Sequence, residues 1–172
     1  MESRVKLLGH PVHPMLVVYP LGLLGTSLGF DIVHLVTQRA LWAVIAYWLI
    51  AAGVVGGALA VPFGLVDWLS IPGRTRARAI GAWHGVGNLT VLGLFAADWV
   101  LRRGEPAGPG VLPIALSCLG VGLLIVTGWL GGELIDHLGV GVDNGAHLNA
   151  PTSLGSQDAP PRPRDGRRRV KV

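Results

Sequence analysis

Apolar residues along this chain do not alternate. They come in four long runs, at residues 14–30, 41–61, 80–101 and 111–132, with the polar residues gathered into short links between them. A helix needs about 20 mostly apolar residues to cross roughly 30 Å of hydrocarbon. The first run is slightly short, but Asp31 and His34 extend it to its far interface. The second runs on past Pro62 towards Leu69, and the fourth towards Leu138. Pro14 suits the first turn of a helix, and Pro20, inside the first run, predicts a bend. ThrGlnArgAla at 37–40 and the Gly/Pro-rich link at 104–110 are turn chemistry. The pattern therefore predicts an all-α fold, an integral membrane four-helix bundle over residues 1–138. A semi-ordered Gly/Asn/Ser-rich loop follows over 139–155. The Pro/Arg composition of 156–172 predicts a disordered basic C-terminal tail.

Composition sharpens this picture. Of 172 residues, 51% are hydrophobic and only 14% are charged, against about 25% charged in a soluble domain. Four buried helices would leave too little polar chain to cover such a core in water. MESRVK leads straight into HPVHP, and the run that follows lacks a small-x-small cleavage site, so the first span is expected to stay in the membrane. Cys118 is the single cysteine, which excludes an internal disulfide, a CxxC motif and a thiolate metal site within one chain. The basic tail reads as solvated chain, and no nucleic acid is expected as a partner.

Four spans put both termini on one side. That side carries Arg4, Lys6, Arg74, Arg76 and Arg78 before the tail, and the other carries Arg39, Arg102 and Arg103. The positive-inside rule then places both termini in the cytoplasm.

The polar residues within this frame gather at the terminus-bearing end. His10 and His13, in HPVHP, stand at the mouth of the first span. Asp67 ends the second. His84 lies one to two turns inside the third, with Asn88 one turn deeper on the same face. Glu133, Asp136 and His137 close the fourth. Ionisable groups at membrane depth are costly, so such a cluster is by default a functional-site hypothesis. A residue before proline is pushed towards extended backbone, which predicts that both HPVHP histidines are held out of the helix. The opposite end is poorer. Asp31, His34 and Asp98, with Arg39, Arg102 and Arg103 nearby, read as rim ion pairs. The glycines, including the GxxxG pairs Gly53–Gly57 and Gly81–Gly85, predict close helix packing or self-association; they would also leave room for a flat cofactor.

GHPVHPMLV, DWLSIPGRTRARAIGAWHGVGN and GWLGGELIDHLGVGVD resemble the predicted four-helix membrane proteins of the family Domain of Unknown Function 2231. The resemblance covers about residues 7–155. It implies a multi-pass protein of a bacterial-type inner membrane, with matching positions at His10, His13, Asp67, His84, Asn88 and Glu133. Some relatives are joined to Rieske iron–sulfur domains, which implies electron transfer in that company, although this chain has no Rieske Cys/His pairs. In many relatives an arginine stands where this chain has His137, so His137 is expected to matter less.

Three readings follow. In the first, haem b or a similar redox cofactor sits between diagonal helices with His13 and His84 as axial ligands, His10 and Asn88 in support, and Arg74, Arg76 or Arg78 meeting the propionates. Such a carrier needs a redox partner protein. In the second, His10, His13, Asp67, His84 and Glu133 hold a non-haem metal, iron or zinc. In the third, the cluster is a hydrogen-bonded plug in an accessory membrane protein without a cofactor. No nucleophile–base arrangement for hydrolysis stands out.

Overall fold

The computed structural model describes residues 1–154; the expectation of a disordered tail falls on residues outside these. The chain opens with a hairpin in which β1 (Lys6–Leu7) pairs antiparallel with β2 (His10–Pro11). Leu8 and Gly9 turn it with positive φ at both positions, the mirror-image turn that fits the twist of paired strands. Four helices follow: α1 (Val12–Thr37), α2 (Ala40–Ser70), α3 (Arg76–Arg102) and α4 (Val111–Gly132), the last running into a π-helical turn at Glu133–His137. All four are long and apolar enough to cross a membrane.

The start of α1 corrects one expectation. His10 is extended, but His13 is the second residue of α1 and not outside it. Pro14 costs the helix nothing there, because first-turn N–H groups have no intrahelical acceptor in any case. The helix therefore begins two residues before Pro14 and carries His13 on its first turn.

Helix α1 packs on α2 and α4, and α3 packs on α4 and α2, so α1 and α3 face each other on the diagonal. Leu24, Ile50, Val91, Phe95 and Leu124 form the central core. The bundle repeats itself. The buried residues of α1 are Pro20, Leu24, Ser27 and Asp31. A step of 71 positions, that from 13 to 84, leads from each of them to Val91, Phe95, Asp98 and Arg102, all buried in α3. A step of 67 positions leads from Ala46, Ile50, Gly53, Gly57 and Ala60 of α2 to Pro113, Ser117, Gly120, Leu124 and Thr127, all buried in α4. The two helical hairpins are thus two copies of one packing pattern, related by an approximate two-fold axis along the bundle. Packing glycines obey the same relation. A Cβ on Gly53 would meet Leu24, and one on Gly120 would meet Phe95. These glycines serve close packing within the chain, the first use expected of them.

The terminus-bearing end is tied down by polar contacts. The Met1 ammonium donates to the Gly139 carbonyl at 2.8 Å, and the Gly141 amide donates to the Met1 carbonyl at 2.8 Å. Lys6 bridges Glu2 at 2.7 Å and Asp143 at 3.4 Å, and the Lys6 hydrogen bond holds the Glu2 carboxyl below its usual range. The polar lead is therefore docked on the loop that follows α4.

Candidate functional site

His13 and His84 occupy the same station on the diagonal helices α1 and α3, one in each hairpin. Their surroundings match as well. His13 Nδ1 lies 3.1 Å from the carbonyl of Ala60 on α2, and His84 Nδ1 lies 2.9 Å from the carbonyl of Thr127 on α4. Ala60 and Thr127 are themselves equivalent positions. A carbonyl can only accept, so each Nδ1 donates, and in the neutral form of each ring Nε2 is then the nitrogen with the lone pair. Each ring also lies against a glycine at equivalent stations. A Cβ on Gly64 would come within 2.7 Å of the His13 ring, and one on Gly131 within 3.0 Å of the His84 ring.

The repeat is broken around His84 by Asn88, whose equivalent in α1 is Val17. The Asn88 amide nitrogen lies 2.9 Å from the His84 carbonyl and 3.2 Å from His84 Nε2, and its Oδ1 accepts from the Thr127 hydroxyl at 3.1 Å. Thr127 does not stand out in the sequence as a site residue. Its one signal is its position four residues before Gly131, as Ala60 stands four before Gly64.

The other expected site residues are each engaged elsewhere. His10 is exposed on the hairpin, with Nδ1 3.2 Å from the Leu8 carbonyl. Asp67 accepts from Ser3 Oγ at 2.7 and 2.9 Å and from the Arg4 amide at 3.1 Å, and so anchors the lead. Glu133, with its side chain only 10% exposed, pairs with Arg76 at 2.6 Å and with His137 at 2.8 Å. Of the link arginines, Arg78 donates to the carbonyls of Trp68, Leu69 and Ile71 and stacks over the Trp68 ring, closing the end of α2. Among the described residues, no group of three or more His, Cys, Asp or Glu side chains is gathered to hold a metal ion.

The far end corrects the rim reading for Asp31, Asp98 and Arg102, which pair as expected but inside the bundle. Asp31, Asp98 and Arg102 are at most 1% exposed. Arg102 grips Asp31 with both terminal nitrogens, at 2.7 and 2.8 Å, and Asp98 through Nε at 2.6 Å. Ser117 Oγ donates to Asp98 Oδ2 at 2.7 Å. Asp31 and Arg102 are equivalent stations, so at this end the diagonal helices are joined directly by an ion pair, whereas at the other end each histidine bonds a neighbouring helix. Eighteen residues separate positions 13 and 31, roughly 27 Å along a helix. Two details hide the layer from a reading of the sequence: Arg102 is the last residue of α3, where a side chain ordinarily reaches for water, and its partner Asp31 is far away in sequence. His34 and Arg103 do lie at the rim, His34 beside the Arg39 carbonyl and Arg103 over the Trp99 ring.

The pattern of a family of predicted membrane proteins, DUF2231, matches residues 9–144. The chain belongs to the DUF2231 family. The match runs from Gly9 in the hairpin turn through all four helices to the start of the loop after them, so both polar layers lie within the family's extent. No curated protein and no solved structure matches the chain.

Proposed function

We propose that this DUF2231 protein binds one haem b between His13 and His84 and carries electrons at that end of the bundle. One observation supports the reading above the others: two imidazoles on diagonal helices, each with Nδ1 tied to a backbone carbonyl of the neighbouring helix. That second bond fixes the tautomer and the ring plane and presents Nε2 as the ligating nitrogen. The donor set also favours haem over a non-haem metal. Haem brings four of the iron's ligands and asks two of the protein, whereas zinc or non-haem iron takes three or four side chains. His10, Asp67 and Glu133 have other partners. Haem, when bound, would supply reversible one-electron chemistry. The protein's own part is to orient both imidazoles and keep water from them.

One observation favours a second reading. Asn88 offers an N–H to His84 Nε2, so His84, Asn88 and Thr127 also make a closed hydrogen-bonded plug. Haem ligation requires Asn88 to release that nitrogen. Haem assay of the protein extracted from its native membrane separates the two. Under the haem reading, wild type carries about one haem per chain, His13→Ala and His84→Ala lose it, and His10→Ala, Asp67→Asn, Glu133→Gln and His137→Ala retain it. A haem-free wild type, or loss of haem that does not depend on His13 and His84, favours the plug.

The orientation belongs to the same proposal: both termini in the cytoplasm of a bacterial-type inner membrane, where a redox partner would meet the histidine end. Burial of Arg102 leaves Arg39 and Arg103 as the exposed arginines of the far side among the described residues, which widens the asymmetry that sets orientation. Gly73→Cys and Gly104→Cys, each in a Cys118→Ser background, should react with an impermeant thiol reagent from opposite sides, Gly104→Cys from outside intact cells. The reverse pattern would invert the orientation, and reaction of both from one side would contradict the four-span arrangement.

A further inference from the structure

We propose that the Asp31–Arg102–Asp98–Ser117 layer is a proton-binding site, holding one exchangeable proton between Asp98 Oδ2 and Ser117 Oγ. The inference does not depend on what the histidine end binds.

It begins with charge. Two carboxyl groups face one guanidinium, and all three are shut off from solvent inside the bundle. With both acids ionised the layer carries a net negative charge. An uncompensated charge in a low-dielectric interior is so unfavourable that such a group neutralises itself instead. Among the described residues, no other cation reaches the layer to balance it. On α1, Ser27 gives its hydroxyl to the Leu24 carbonyl. On α2, the buried residues near this level are Ala43, Ala46 and Ile50. On α3, Arg103 is turned to the Trp99 ring. On α4, Ser117 is the polar contact. A metal cation is the poorer counter-charge. Ions of the calcium type need six or more oxygens, and here the four carboxylate oxygens already accept hydrogen bonds from Arg102 and Ser117.

Geometry selects the carboxyl that takes the proton. Asp31 receives a two-pronged grip from Arg102, one N–H on each oxygen, an arrangement that favours the ionised form. Asp98 holds Arg102 Nε through Oδ1, but the Arg102 contact to Oδ2 is long at 3.3 Å. The close partner of Oδ2 is the Ser117 hydroxyl at 2.7 Å, and a hydroxyl donates or accepts with equal ease. The carboxylate plus one proton gives the acid, whose O–H then donates to Ser117 Oγ. The serine hydrogen turns to a carbonyl one turn earlier in α4, the acceptor such side chains commonly use in helices. No bond other than the O–H forms, and the layer becomes neutral.

Infrared spectroscopy of the purified full chain, with and without ¹³C-labelled aspartate, tests this. At neutral pH the wild type should show a protonated-carboxyl band that shifts with the label. Asp98→Asn, the neutral isostere of the acid form, should fold and lose the band. Asp31→Asn should also lose it, because one carboxyl then balances one guanidinium. Asp67→Asn should keep it. Ser117→Ala should move the band by removing its hydrogen-bond partner, and this readout stands even should Asp98→Asn fold poorly. Absence of the band in wild type, its survival in Asp98→Asn, or an unmoved band in Ser117→Ala would overturn the proposal.

Discussion

Arg102→Met is expected to leave little folded protein. The substitution keeps most of the side-chain volume but strands the Asp31 carboxylate in the interior with no cation and takes from Asp98 its Nε donor, contacts now made by Arg102 at 2.6 to 2.8 Å. Removing one partner of a buried ion pair typically costs about 3–5 kcal/mol, because the charge left behind is uncompensated. Against the roughly 5–15 kcal/mol that holds most domains together, that is a large share. Thermal unfolding in detergent and the yield of monodisperse protein read the effect directly. Arg103→Met is the matched control. It loses one cation–π contact at 4.1 Å, worth about 1 kcal/mol or less at an accessible site. Equal stability of the two variants would show that the buried layer does not hold the far end together.

Gly120→Leu should be nearly as damaging. A Cβ at position 120 would lie 2.7 Å from the Phe95 ring, and Phe95 is fully buried at the centre of the core. A rigid ring with no exposed side cannot move aside without shifting α3 from α4. Overpacking of this kind typically costs on the order of 3 kcal/mol or less. Gly93→Leu is the control, since nothing lies within 4 Å of a Cβ there. A midpoint for Gly120→Leu indistinguishable from that of wild type would mean that the helices do not approach as closely at Gly120 as described. Gly53→Leu, at the equivalent station, meets the more pliable Leu24 and should be milder.

The four helices are legible in the sequence because membrane insertion writes itself into composition. A bilayer asks for runs near 20 apolar residues separated by polar links, and a water-soluble core of this size does not. The terminus-bearing polar end is legible for a related reason, since His84 and Asn88 interrupt an otherwise apolar span. The pairing is not legible. Nothing in residues 10–14 says that His13 turns to Ala60 while His10 stays on the surface, because that depends on where α1 starts, and Pro14 is compatible with more than one start. Asp67 and Glu133 look like ligands in the same way, yet their partners, Ser3 and Arg76, come from segments that read as a free lead and a free link.

The repeat is harder still to read. It is carried by burial and not by identity: Leu24 answers Phe95, Ile50 answers Ser117, and Asp31 answers an arginine. Substitutions that preserve inward direction while changing chemistry leave few matching letters. His13 with His84, Gly53 with Gly120 and Gly64 with Gly131 are among the few identities that survive. The far-end layer escapes a sequence reading for the same reason. Its charges lie near helix ends, where ions ordinarily reach water, and only the diagonal placement of α1 opposite α3 turns Asp31 and Arg102 towards each other.

Two imidazoles meeting one iron are the core of the proposed function. The direct measurement is the electron paramagnetic resonance spectrum of the oxidised protein extracted from its native membrane. Two axial histidines predict a low-spin ferric signal in wild type, replaced in His13→Ala and in His84→Ala by a high-spin signal or by loss of haem. A wild type with no ferric haem signal, or with a high-spin one, would contradict the pairing of His13 and His84 on a haem.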